Sequence, residues 1–231
     1  IEAALERVRS RSIAMHQSEE LREVIQLMFE QFRLLNFNID SAQFDPTYKE
    51  NNDLNLWTAA PGQPYSILLH IPYADNALFN SINEAKKRGI SFITQQLSYE
   101  DKNQFFRHFF QHIKDIPVER QKLIFDGPGM YRAVVFMENV SLAIQNYSNT
   151  PYTEEENDVL KRFGKTFEQV YTRFLDLQKA EAQAREAQIE ASLERVRSRT
   201  MAMHNSRDVG KSVATLFDEL FVLGLIGVND R

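Results

Sequence analysis

Five histidines and no cysteine bound the chemistry open to this chain. His108 and His112 stand four residues apart in Phe105-Phe-Arg-His-Phe-Phe-Gln-His-Ile113. On a helix that spacing puts two imidazoles on one face, which can hold a metal when a third ligand arrives. The apolar arc of the same segment is Phe105, Phe106, Phe109, Phe110 and Ile113, with His112 at its edge and His108 further out. The competing reading is a pair of border histidines on a buried helix. His70 alternates with Leu69 and Ile71 and so faces away from them, either into a pocket or as a hydrogen-bonded sheet residue. Trp57, Tyr73, Phe92 and Tyr131 are aromatic residues of the same region. With His70 and His112 they form the expected lining of a small-ligand pocket.

Other chemistries find less support. His16 and His204 each sit in Ala-Met-His. A histidine on a dimerising helix can accept a phosphoryl group, but no glycine-rich ATP-binding motif accompanies these two, and a linker role is expected. The arginines Arg7, Arg9 and Arg11 are spaced by two, which distributes them around a helix instead of building one basic face. No Ser-His-Asp constellation, phosphate loop or paired-carboxylate motif is recognisable, so no enzyme is expected in this stretch. No cofactor is evident. The lack of cysteine excludes disulfides, thiolate metal sites and thioether-linked cofactors.

The elements that would position these residues lie between two copies of one segment. Ile1-Glu-Ala-Ala-Leu-Glu-Arg-Val-Arg-Ser-Arg-Ser-Ile-Ala-Met-His-Gln-Ser18 returns from Ile189 to Ser206, 188 residues later, identical at fourteen of eighteen positions. Such a repeat at one-domain spacing indicates a tandem array. Both copies have a heptad seam: Ile1, Leu5, Val8, Ser12 and Met15, then Ile189, Leu193, Val196, Thr200 and Met203. A new apolar stripe follows each, out of phase with the seam: Leu21, Ile25, Met28, Phe32 and Leu35, then Val209, Val213, Leu216, Leu220 and Leu223. The helix is therefore expected to restart near Ser18 and Ser206, each a candidate N-cap. The first helix of each pair is expected to seek a partner chain and the second to pack on its own domain.

A further seam, Phe163, Phe167, Val170, Phe174 and Leu177, precedes the second copy. Thr153-Glu-Glu-Glu156 fits a capping box, and one helix is predicted from Thr153 to about Asn205. At 1.5 Å per residue it spans roughly 75–80 Å. The two seams fall out of phase across residues 179–188, either as a solvated spacer or as a register switch. Together, Phe163, Phe167, Val170, Phe174, Leu177, Ile189, Leu193, Val196 and Met203 make the expected seam of a parallel homodimeric coiled coil.

Between the copies, residues 37–45, 53–58 and 66–71 alternate apolar and polar as strands do, with Pro61-Gly62 marking a turn. A helix from Ala74 to Lys87, a strand from Ile90 to Leu97 and a helix from Tyr99 to Ile116 follow. Two strands, Met130 to Met137 and Val140 to Tyr147, complete the set. This order implies an α+β domain with a mainly antiparallel sheet. The expected organisation is a linker helix over 1–17, the sheet domain over 18–152, the long helix over 153–205 and the start of a second unit over 206–231. That last segment makes the chain read as a piece of a longer protein.

The repeated Leu-Glu-Arg-Val-Arg-Ser-Arg linker, the helix carrying Leu160-Lys-Arg-Phe163 and Tyr171-Thr-Arg-Phe-Leu-Asp-Leu177, and the strand order resemble tandem GAF-type sensory domains of bacterial (Bacteroidetes-type) signalling proteins. The resemblance implies a small-molecule pocket between sheet and helices and dimerisation through flanking helices. It also implies an output domain downstream in the same chain, such as a two-component sensor kinase. The Asn-Lys-Phe-Asp-Glu motif of cyclic-nucleotide-binding members and the bilin-attaching cysteine are both missing, so no ligand class carries over. The GAF-fold enzymes that reduce methionine sulfoxide need cysteine. Composition agrees with a globular chain: 231 residues, 43% hydrophobic and 26% charged. A net charge of -5 argues against a nucleic-acid partner. No apolar run reaches the ~18–20 residues of a membrane span. A cytoplasmic location is expected.

Overall fold

Strand alternation and helix periodicity produce the predicted α+β class. The computed structural model describes residues 1–62, 66–113, 116–203 and 207–225. Two compact units emerge: a sheet unit, Ile1–Leu175, and a hairpin unit, Asp176–Arg231. The elements in chain order are α1 (Glu2–Ile13), α2 (Leu21–Leu34), β1 (Ser41–Asp45), β2 (Leu54–Ala59), β3 (Ile67–Ile71), α3 (Ala77–Lys87), β4 (Phe92–Leu97), α4 (Tyr99–His112), α5 (Val118–Asp126), β5 (Met130–Phe136), β6 (Ser141–Asn146), α6 (Glu154–Met201) and α7 (Arg207–Val222).

The six strands form one antiparallel sheet in the order β3-β2-β1-β6-β5-β4. The register sorts side chains cleanly, because strand residues alternate between faces. Phe44 opposite Trp57 and Ala42 opposite Ile144 lie on one face, while Gln43 opposite Thr58 and Arg132 opposite Gln145 lie on the other. The first face is covered by helices α1 and α2 and the start of α6. There Phe163 packs on Phe32 with ring centroids 4.4 Å apart, and Phe167 packs on Phe44 at 4.1 Å. The second face is covered by α3, α4 and α5, whose Phe79, Phe105, Phe106 and Ile124 join Leu56, Val134 and Ala143 of the sheet in one core.

Local chemistry sets the helix ends. Asn76 caps α3 by accepting from the Phe79 N–H, and Ser98 caps α4 by accepting from Asp101. The predicted capping box of α6 forms: Thr153 N–H donates to Glu156, and Glu156 N–H donates to Thr153 Oγ1. Between α1 and α2 the chain restarts through a 3-10 turn, Ser18–Glu20, as expected. The N-cap position of α2 is Glu20, which makes no side-chain cap bond to α2. Its carboxylate accepts instead from the backbone N–H groups of His16 and Gln17. The Ser18 side chain and Ser206 lie outside the described residues, as does His204.

Two expectations are corrected. Helix α4 ends at His112, and α5, a helix the sequence pattern did not announce, follows Pro117. The larger correction concerns the heptad seams. Leu5, Val8, Ser12 and Met15 of the first copy are buried inside the sheet unit, as are Phe163, Phe167 and Val170. Helix α1 packs beside α2 and the start of α6. Arg162 pairs with Glu2, and Arg173 donates to the carbonyls of Ser12, Ile13 and Met15 at 3.0–3.2 Å, capping the C-terminus of α1. A spacing of three and four marks one apolar helix face. It does not say whether that face meets another chain or its own sheet.

In the hairpin unit the last part of α6 packs on α7. Ser192 is buried there, and Arg195 forms a two-pronged pair with Glu219 at 2.6 and 2.7 Å. Shifting by 188 residues maps this pair onto Arg7 and Gln31 of the sheet unit, where the guanidinium donates to Gln31 Oε1 at 3.1 Å. The α1–α2 and α6–α7 hairpins are thus two copies of one element with the same clamp. Their surroundings differ. Leu21, Ile25, Met28 and Phe29 are at most 1% exposed, whereas their counterparts Val209, Val213, Leu216 and Phe217 are 43–50% exposed. Of the α7 stripe, Val209, Val213 and Leu216 are exposed, whereas Leu220 is half-buried and Leu223 buried.

Candidate functional site

The sheet face under α4 and α5 holds an unusual set of polar groups. Arg132 is the one charged residue of β5, and the alternation of the strand turns it into the core, where it is 3% exposed. Its Nη1 donates to Gln95 Oε1 at 3.0 Å and its Nη2 to Gln43 Oε1 at 3.1 Å, while Nε has no partner. Burial lowers its pKa to about 10, so it stays a cation at neutral pH. Gln95 is held in turn by the Leu78 carbonyl and by Ser81 of α3.

Asp45, at the end of β1 on the same face, is 2% exposed. Its Oδ1 accepts from the backbone and hydroxyl of Thr47, and its Oδ2 is unpartnered. Burial pushes it up to about 6, against the smaller opposing pull of the Thr47 bonds, Lys86 and Arg132. The sign follows directly. A raised aspartate stabilises the fold through its protonated form, fully so below the ordinary value of 3.8, and loses that contribution as pH rises through about 6. Asp45→Asn is therefore expected to gain about 1–3 kcal/mol at neutral pH and to flatten the stability profile between about pH 4 and pH 6. Urea titrations across that range check this, and equal slopes for the two proteins would refute it. Glu20 and Glu219, lowered from 4.5 to about 2, act in the opposite sense, their contribution being lost as pH falls from about 4.5 towards 2, and they are common to both proteins.

Beside this polar set lies a cavity of about 40 Å³ between the sheet and α4–α5. Its polar lining is Ser41, Gln43, Thr58, Arg120, Gln145 and Tyr147. Its apolar lining is dominated by Phe106, Phe109 and Phe110. Thr58 Oγ1 is buried without a hydrogen-bond partner. Ser41 Oγ influences the Tyr147 hydroxyl but makes no bond of ordinary geometry. Arg120 donates to the Asp40 carbonyl at 3.1 Å. Gln145 donates to the Tyr147 hydroxyl, whose pKa burial raises.

None of the six residues expected to line a pocket lies here. Trp57 and Tyr131 sit on the other face, Tyr131 edge-on to Tyr152. Phe92 lies on the edge strand β4 with the Lys161 ammonium 4.9 Å above its ring. His70 is exposed, with Nδ1 at 2.7 Å from Asn55 Oδ1 and Nε2 at 3.6 Å from Asp53. Tyr73 is 42% exposed and donates to Asn80. His112 is exposed at the end of α4, its ring 4.7 Å from that of His108. His108 itself bonds to the Pro72 carbonyl at 2.7 Å, the border-histidine reading. Among the described residues no three metal-ligating side chains cluster. The polar set beside the cavity carried a readable signal, with Arg132 in an apolar strand and Gln43 and Gln95 at inward positions, but of these only Gln43 lines the cavity.

No known family model matches this chain, and no curated protein matches its sequence significantly. Among the described residues no helix is long and apolar enough to cross a membrane.

Proposed function

We propose that this chain is a GAF-like sensory and dimerisation module of a multidomain signal-transduction protein, a two-component sensor kinase being the leading parent. A small ligand between the sheet and α4–α5 biases helix packing, and α6 passes that bias to an output domain of the same chain in the cytoplasm. The observation that carries this reading is the pair of equivalent hairpins, α1–α2 and α6–α7, with matching clamps Arg7–Gln31 and Arg195–Glu219. A unit that begins and ends on the same helical element is built to be chained, and a bias in one element is then readable by the next.

The dimer contact in this proposal is narrower than the full heptad pattern. Phe163, Phe167 and Val170 are committed to the core, which leaves the half-buried Phe174 and Leu177, and Ile189, Leu193, Val196 and Met203 with the α7 stripe. Sedimentation at micromolar concentration is expected to give a dimer. Leu193→Asp with Val196→Asp is expected to give a monomer of unchanged sheet-unit stability, because a charge placed in an apolar seam lacks a partner. A monomeric parent chain, or a double variant that still dimerises, would defeat this assignment. The size of the cavity favours a second reading, a structural spacer between domains. About 40 Å³ falls short of the several hundred that drug-sized ligands occupy.

A further inference from the structure

The small cavity of the sheet unit restricts the ligand instead of excluding one. A water-sized occupant needs about 10–15 Å³ measured this way, so about 40 Å³ admits roughly three or four such positions. That is the size of a molecule of about four or five non-hydrogen atoms. The lining fixes its polarity. Among the described residues Arg120 is the one charged side chain of the wall, and no carboxylate lines it. Behind Gln43 stands Arg132, fully buried and bonded to neutral amides alone. Among the described residues neither guanidinium has a carboxylate at ion-pair distance. Arg132 already feels the charge of Asp45, so the positive charge open to a ligand is that of the half-buried Arg120, and an anion beside it recovers part of its lost hydration. The unpartnered Thr58 hydroxyl adds a donor to the same wall. The remainder of the wall, with Phe106, Phe109 and Phe110, is apolar and offers nothing to a fully hydrated inorganic ion.

We propose that this cavity binds a short-chain aliphatic carboxylate of acetate to propionate size, its carboxylate held by Arg120 and Thr58 and its alkyl end among Phe106, Phe109 and Phe110. The assignment rests on the sensory reading above and narrows it to a ligand class. A planar guanidinium and a carboxylate match in shape as well as charge, which a chloride or a neutral molecule does not reproduce.

The test is thermal unfolding of the full 231-residue chain in sodium acetate, propionate, nitrate or chloride at equal ionic strength, and in acetamide. Acetate or propionate at roughly ten times its Kd is expected to raise Tm by about 3–6 °C over chloride. Arg120→Gln is expected to abolish that increment, and Arg120→Lys to reduce it. Saturation transfer from aromatic protons to the bound alkyl group gives a second readout that needs no variant. An equal effect of chloride or nitrate, or a full acetate increment in Arg120→Gln, would overturn the proposal. A shift with acetamide but not with carboxylates would reject the anion and keep a sensory pocket. No shift with any of these probes and no saturation transfer would count against both and favour the spacer.

Discussion

Phe163→Ala and Phe167→Ala are each expected to destabilise the sheet unit by about 3–5 kcal/mol and to leave self-association unchanged. Both rings are at most 1% exposed, one against Phe32 and the other against Phe44. Truncation to alanine removes the buried ring and leaves a void between α6 and the sheet. Relaxation is limited there because Gly164 already lets α6 approach β5 closely: a methyl group on it would lie 3.1 Å from Val135 Cγ1. Chemical denaturation measures the loss, and sedimentation of the folded protein measures association. Unchanged stability with loss of the dimer would return these residues to an intermolecular seam.

Arg132→Ala is expected to cost about 3–5 kcal/mol, and Arg132→Met only about 1–3 kcal/mol. Alanine leaves a cavity and two glutamine oxygens, of Gln43 and Gln95, without donors. Methionine fills most of the volume and removes a desolvated charge, so only the orphaned oxygens count against it. Either change also withdraws a positive charge that holds Asp45 down. The pH at which stability falls should therefore move above the parent value of about 6. Equal losses for alanine and methionine, with an unmoved pH midpoint, would mean that Arg132 serves only to fill space.

The strands were legible because each has one buried apolar face and little room for ambiguity. The long helix was legible from its capping box and the scarcity of helix breakers. Helix α5 was not, since Ile124 is its one fully buried residue and its apolar stripe is faint. The pocket residues were misassigned for a different reason. Trp57 and Tyr131 are large and aromatic, but register decides which face a strand residue joins, and register is fixed by partners remote in sequence. The cavity wall is made of residues from β1, β2, β3, α4, α5 and β6, and no local pattern brings Ser41, Thr58, Arg120 and Tyr147 together.

The central position of β1 beside β6 governs the order in which the chain can fold. Ser41 pairs with Gln145, so the middle of the sheet joins segments about a hundred residues apart. The hairpins β1–β2–β3 and β5–β6 close short loops and can form early, whereas their union must await the whole intervening chain. On the ribosome, Phe32 of α2 lacks its partner ring until Phe163 of α6 has emerged, an interval of roughly 7–26 s at about 5–20 residues per second. In an array of such units, the hairpin that closes one unit is made before the sheet of the next. Each nascent unit would then expose the stripe now seen on α7, and neighbouring units would be at risk of exchanging hairpins.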